Sequence, residues 1–410
     1  PGARRGRLTI RGRFQWPVVV LALGAAGATR TPALLIVAAG GQVSWALSEV
    51  TARLALVAVD IALEVEPRRL VAGETVVATV TLTNRKPVHL PWLELTLALP
   101  EGILGPEGGP GAPPRAALRA TVAPRGHERV TLRFPLRVPD RGAYAIGPLA
   151  LRSGDWLGFV EAERAVATAV GIVAYPRPLA VTDRHRPSLR PLAEAAARRG
   201  LVPDPLRFRG VREHRPGDPR KEIHWKLSAR LGALQTKLYD PATSLDAVFL
   251  VNVASYEQYW IIADPEAVEL VIAATAELVR IAAGAGRQVG LVTNGIDRLT
   301  HERPRSPIGR GPRTVARSLE ILARLGPYAM AAPETVFLRE RGRLPYGATL
   351  VAVTPIVSAG FAEALVVLRR SQHRVLALAV TPPVPALAAR LHAADVQLET
   401  IGAGERRAAV

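Results

Sequence analysis

Two apolar runs open the chain, at residues 16–28 and 33–47. They are separated by Thr29-Arg30-Thr31-Pro32. Each falls short of the ~20 residues that an upright membrane span needs, although flanking residues can extend both. The pattern predicts a helical hairpin in a bilayer, with spans near 14–29 and 33–50. Arg4, Arg5, Arg7, Arg11 and Arg13 precede the first run and Arg53 follows the second. Such flanks place both ends on the cytoplasmic side. A cleaved signal peptide ending near Ala26-Gly27-Ala28 is the competing reading. The second apolar run argues against it, and a buried soluble helical hairpin is a third possibility.

After residue 60 the period shifts to two. The segments 75–83, 93–97 and 130–138 alternate apolar and polar positions, as half-buried strands do. Residues 102–114 are rich in Gly and Pro and read as a long loop. These features predict an immunoglobulin-like β-sandwich over 59–178. Residues 179–245 read as an irregular basic linker. Beyond it the pattern changes again. Apolar strands at 247–253, 288–293, 349–354 and 374–380 alternate with helices at 265–283, 314–325 and 358–370. That alternation predicts a doubly wound, mostly parallel α/β sheet over 246–410. Ligands of such sheets bind at the carboxyl ends of strands. Here those ends are 252–256, 293–295 and 354–355. Residues 1–58 form the expected membrane hairpin, so the fold class is multidomain. The expected location is the cell membrane, multi-pass, with the bulk of the chain cytoplasmic.

Composition changes the picture in two ways. The 410 residues contain no Cys, which excludes disulfides, thiolate metal sites and Cys nucleophiles. The net charge is +18, yet only four basic residues are Lys: Lys86, Lys221, Lys226 and Lys237. Three of the four fall in or just after one segment, where a compact ammonium was kept and not replaced by a planar guanidinium. The basic charge is not joined to a stacking or groove-reading motif, so nucleic acid is not an expected partner.

That segment holds the candidate chemistry. Pro216-Gly217 suits a turn. Asp218 is placed to cap a helix and to pair with Arg230. Ile223 and Trp225 are expected to pack inward. Lys226 and Arg230, four apart, share an exposed face. His224, Asp218 and Ser228 are the residue types of a hydrolytic triad, but a triad also needs geometry and an oxyanion hole. Phosphate-binding glycine loops, His-Glu-x-x-His and Gly-x-Ser-x-Gly are all missing from the sequence. No enzyme activity, cofactor or catalytic residue is therefore expected. A hydrolase using His224, Asp218 and Ser228 stays open as an alternative, as does an exported cell-envelope binding module.

The run Arg212-Glu213-His214-Arg215-Pro216-Gly217-Asp218, followed by Ile223-His224-Trp225-Lys226-Leu227-Ser228-Ala229-Arg230, closely resembles the signature of the domain of unknown function 58 family. Arg141-Gly142-Ala143-Tyr144-Ala145-Ile146-Gly147-Pro148 and the following Asp155-Trp156-Leu157-Gly158-Phe159 resemble a second element of that family, with Trp in place of Pro. The resemblance implies a von Willebrand factor A-like C-terminal domain and a MoxR-type AAA+ ATPase as partner, in assembly or maturation of an unidentified client. It also implies a divalent-metal site at the end of the first strand of that domain. Asn252, Ala254 and Tyr256 stand where Asp, Ser and Ser are wanted, and a hard cation prefers carboxylates. The metal site is therefore expected to be degenerate. The expected role is a membrane-anchored adaptor or scaffold, with the bilayer and the ATPase as partners and the signature residues, with Lys237, as docking surface.

Overall fold

A computed structural model describes residues 8–12, 20–21, 24–25, 27–28, 32–105, 117–155, 160–177, 179, 200–216, 218–244 and 246–401. The chain divides into two compact units, Pro1–Tyr175 and Pro176–Val410.

The first unit begins with strand β1 (Leu8–Gly12) and helix α1 (Pro32–Ala55). Strands β2 (Val59–Glu66), β3 (Arg69–Val71), β4 (Thr75–Asn84), β5 (Leu93–Ala98), β6 (Ala117–Val122) and β7 (Arg129–Arg137) follow. They are continued by β8 (Gly142–Ile146), β9 (Leu149–Gly154), β10 (Val160–Val166) and β11 (Val170–Tyr175). Three sheets form, in the orders β1-β10-β9-β5-β6, β2-β4-β7 and β3-β11-β8. The alternation seen in the sequence places Val76, Ala78, Val80 and Leu82 of β4 on one face. Leu93, Leu95 and Leu97 of β5 do the same, and both sets enter one apolar core with Leu149 and Leu151.

The membrane hairpin expected over 1–58 is not supported. Among the described residues, no helix is long and apolar enough to cross a membrane. Of the expected first span, 14–29, only residues 20, 21, 24, 25, 27 and 28 are described. The expected second span, 33–50, lies within α1, whose last turns pack on the strands of this unit. Ser48, Ala52 and Ala55 are buried there, with Leu56 just beyond the helix. Their spacing of three and four residues puts them on one face, which packs against β9 and β10. Gly40, Gly41, Gln42 and Glu49 interrupt the apolar run. Glu49 also pairs with Arg53 one turn on.

The carbonyls at the end of α1 lack helical partners and are met by two basic side chains. Lys86 Nζ donates to Leu54 O at 2.7 Å and also to Ala55 O. Arg164 donates to Leu56 O at 2.9 Å and to Val59 O at 2.6 Å. Cations suit this end of a helix. Burial, then the neighbouring Arg164, lowers the Lys86 pKa.

In the second unit, the stretch expected to be an irregular linker holds an antiparallel hairpin of β12 (Gly200–Glu213) and β13 (Gln235–Ser244). Pro203 and Pro205 obscured β12 in the sequence, since proline is unusual within strands. The pairing shifts register between Pro203 and Phe208 and again between Phe208 and Gly210. Residues 214–234, which join the two strands, contain a short turn of 3-10 helix at Arg220–Glu222 and helix α2 (Trp225–Leu231).

The rest of this unit is a six-stranded sheet: β14 (Asp246–Val251), β15 (Gln288–Thr293), β17 (Arg305–Gly309), β19 (Thr349–Thr354), β20 (Arg374–Ala379) and β21 (Gln397–Thr400). Strands β16 (Gly295–Asp297) and β18 (Leu325–Ala329) pair separately. The sheet order is β17-β15-β14-β19-β20-β21, and only β17 runs antiparallel. Helices α5 (Pro333–Glu340), α6 (Ala359–Arg370) and α7 (Pro385–Ala393) cover one face. Phe337, Phe361, Leu365 and Leu391 pack there with Val248, Leu250, Leu350 and Ala352. Helices α3 (Pro265–Gly284) and α4 (Pro312–Arg324) pack together, and α3 lies on β14, β15 and β19. The central strands are thus buried on both faces, as their unbroken apolar runs require.

Candidate docking site

The signature residues sit where β12 passes into β13. Arg212, near the end of β12, spans the Asp218 carboxylate with both terminal nitrogens at 2.7 Å. Asp218 also accepts the Arg215 N–H at 2.9 Å and the Thr236 hydroxyl at 3.2 Å. His214 Nδ1 lies 3.0 Å from that hydroxyl. The Arg212 guanidinium first, and the Arg215 N–H second, hold the Asp218 carboxyl well below the ordinary carboxylate range. A charge-assisted fork of this kind fixes direction as well as distance. It ties the outgoing strand to the connecting turn, and the Thr236 hydroxyl on the same carboxylate extends the tie to the returning strand.

The remaining turn is braced by its backbone. His214 N–H donates to Leu234 O at 2.9 Å, and His224 N–H to Gln235 O at 2.7 Å. Ile223 bridges Thr236 and is buried. His224 caps α2, its Nδ1 accepting the Leu227 N–H at 3.1 Å. Ser228 Oγ donates to His224 O at 3.0 Å and accepts the Gln235 N–H at 2.8 Å. Gly232, with φ of 66°, ends the helix in the left-handed region that glycine enters without strain.

Several expectations change here. Asp218 pairs with Arg212, not Arg230, and the cap of α2 is His224. The hydrogen bonds of a triad are not formed: His224 Nδ1 accepts the Leu227 N–H, the Ser228 hydroxyl donates to His224 O, and Asp218 is forked to Arg212. Trp225 does not pack inward: it is 66% exposed. It is the first residue of a seven-residue helix, and Ile223 has already taken the inward position. Phe208, Leu231 and Leu234 are also exposed. The sequence reading singled out none of the three, because it took 179–245 as an irregular linker. Lys221, Lys226, Ala229, Arg230, Glu213 and Pro216 are exposed, and Lys237 is half-buried. Gly217 lies outside the described residues, as do 156–159 of the second signature element.

The strand ends at 252–256 form a different site. Asn252 is buried, and its Oδ1 accepts the Ala254 N–H at 2.9 Å and Asn294 Nδ2 at 2.8 Å. Its Nδ2 donates to Thr354 Oγ1 at 2.8 Å. Asn294 Oδ1 in turn accepts the Val253 N–H at 3.0 Å. A neutral network of Asn252, Asn294 and Thr354 thus joins the carboxyl ends of β14, β15 and β19. Among the described residues, no group of three His, Asp or Glu side chains could hold a metal. Tyr256 points outward and is 46% exposed. Asn294 was legible in principle, since it follows an apolar strand just as Asn252 does.

Residues 210–394 match the family described as "Protein of unknown function DUF58". The match runs from the end of β12 to α7. An uncharacterized protein of Bacillus subtilis (strain 168), YeaD, is 26% identical over 308 residues, covering 69% of each chain. Among solved structures, the ASH/PapD-like domain of human CEP192 covers 27% of this chain and 84% of its own, at 12% identity and a TM-score of 0.17. Spo0M of Bacillus subtilis covers 36% and 58%, at 12% identity and a TM-score of 0.18. Scores this low carry no argument about the fold.

Proposed function

We propose that the chain is a non-enzymatic adaptor or scaffold, and that the connection between β12 and β13 is the surface by which it docks an acidic partner. The observation that carries this reading is the exposure of Trp225, at 66%, beside the exposed Lys221, Lys226 and Arg230 on a braced frame. Aromatic residues held rigidly at a surface and ringed by charge are typical interface anchors. Asp218 does not offset the basic charge, because Arg212 already neutralises it.

The resemblance to the domain of unknown function 58 family supplies the partner class, a MoxR-type AAA+ ATPase, and the setting, assembly or maturation of a client protein. The sheet order, with strands numbered 3-2-1-4-5-6 and an antiparallel edge strand, supports reading the C-terminal part as von Willebrand factor A-like. The test is association with a purified MoxR-type ATPase on a biosensor across a salt series. Reversing Lys226 and Lys237 to Glu is expected to slow association and flatten its salt dependence, since rim charges act mainly on encounter. Unchanged association at low salt overturns the reading.

A further inference from the structure

A second surface, at the carboxyl ends of the parallel strands, has different chemistry. The loop after β14 carries Tyr256, Trp260, Ile261 and Ile262, exposed by 46%, 70%, 44% and 61%. The Ala263 N–H donates to Pro327 O at 3.2 Å, which ties this loop to β18. Beside that tie stand Tyr328, 52% exposed, and Met330, 48% exposed. Met330 is itself held by its N–H to Asn294 O at 2.8 Å. Two segments joined by that backbone bond therefore expose six large side chains, and one of them is tied to Asn294 of the amide network. Isolated exposed apolar residues need no explanation, but a continuous group fixed to a rigid base marks an interaction surface.

The charge around it sets this surface apart. The chain carries +18, yet residues 238–279 contain no Lys or Arg. Of the loops that leave β14, β19 and β20, at 252–264, 355–358 and 380–384, none has a basic residue, and their only charges are Glu257 and Asp264. Glu257 is fixed in place, its Oε1 accepting the Ala359 N–H at 3.3 Å. The basic residues nearby are Arg298, which follows β16, and Arg324, which precedes β18 and is paired with Asp297. An apolar face with acidic charge, on an otherwise strongly basic molecule, is complementary to a ligand of the opposite pattern.

We infer that this face binds an apolar polypeptide segment flanked by Arg or Lys, without a metal ion. Aliphatic and aromatic side chains of the segment lie against Trp260, Ile262 and Tyr328, and its flanking cations face Glu257 and Asp264. The buried amide network supplies a stiff floor where a cation would otherwise be coordinated. This inference does not rest on the docking role of the β12–β13 connection.

The test is fluorescence anisotropy with the full chain and a labelled synthetic peptide that has a Leu/Phe centre and Arg flanks. A Glu-flanked version of the same peptide is the comparison. Saturable binding of the Arg-flanked peptide is expected despite the repulsive net charge, and it should be unaffected by EDTA. Trp260→Ser and Ile262→Ser are each expected to weaken it by about tenfold or more, as loss of a central anchor does. Circular dichroism melts should be unchanged, and Trp225→Ser should have no effect. Tighter binding of the Glu-flanked peptide, equal binding in the Trp260 and Ile262 variants, or loss of binding with EDTA each overturn the inference. So does a concentration-dependent dimer that Trp260→Ser dissolves without any peptide binding, which would assign the face to self-association.

Discussion

Arg212 and Asp218 face each other with both nitrogen–oxygen distances at 2.7 Å, and this fork closes the tip of the β12–β13 hairpin. Because the fork holds the Asp218 pKa below its ordinary value, its stabilisation is fully present above the unfolded pKa of ~4 and is lost as pH falls toward the folded value. Asp218→Asn is therefore expected to lower the melting temperature at pH 7 and to narrow the gap from wild type under strong acid. Thermal melts across an acid series check this. A gap that does not change with pH would mean that Asp218 acts through its shape alone.

Trp225 and Ile223 sit two residues apart with opposite exposure. Trp225→Ala is expected to leave stability within ~0.5 kcal/mol, as exposed substitutions do. Ile223→Ala should cost about 2 kcal/mol or more, as truncation of a buried aliphatic side chain does. Only the first should reduce association with the ATPase while the protein remains fully folded. Chemical denaturation beside a binding assay separates the two effects.

The retained lysines divide in the same way. Lys86→Met takes the Lys86 donor from the Ala55 carbonyl and leaves the Leu54 carbonyl with the Val57 N–H, and a cost of roughly 1–3 kcal/mol is expected for the lost bonds. Lys226→Met should leave the melting temperature unchanged. Faster amide exchange confined to the last turn of α1 in the Lys86 variant would locate the loss.

Asn252 is held by hydrogen bonds to Ala254, Asn294 and Thr354. Calorimetric titration of the chain with Mg²⁺ or Mn²⁺ is expected to show no micromolar site dependent on Asn252. Asn252→Ala should destabilise by roughly 1–3 kcal/mol, since the Ala254 N–H and the Asn294 amide lose their acceptor.

His373 is buried, and burial lowers its pKa below the ordinary value. The unfolded chain therefore takes up the proton more readily, and stability is expected to fall as pH drops below ~6.5 toward the folded pKa. His373→Leu should remove that part of the acid sensitivity. A pH-dependent melt of the variant that overlays wild type would count against the assignment.

The strands at 75–83, 93–97, 130–138, 247–253, 288–293, 349–354 and 374–380 were legible because each is patterned for its burial, whereas the remaining strands were not read. The alternation in 75–83 marks a sheet with one wet face, and the unbroken apolar run at 247–253 marks a strand covered on both sides. The α1 segment misled because length and apolarity look alike in a membrane span and in a helix that lies against strands, as α1 does on β9 and β10. The distinction rests on Lys86 and Arg164, which lie 31 and 108 residues away from the carbonyls they meet. The hairpin was obscured by the prolines of β12. Within the signature, local features such as the turn and the shared face of Lys226 and Arg230 could be read. The partner of Asp218 could not, because spacing alone does not tell Arg212, six residues before it, from Arg230, twelve residues after it. Trp225 was misplaced for a simpler reason: sequence shows that a residue is large and apolar but not whether the fold has room to cover it.

The amide network at the strand ends also has a mechanical meaning. Asn252 grips β19 through Thr354 and β15 through Asn294, while Asn294 holds the backbone of the residue after Asn252. A pull on the loop that carries Trp260 is therefore shared by three adjacent strands from its first residue onward. Any load applied at that face meets the centre of the sheet before it can unzip a single strand.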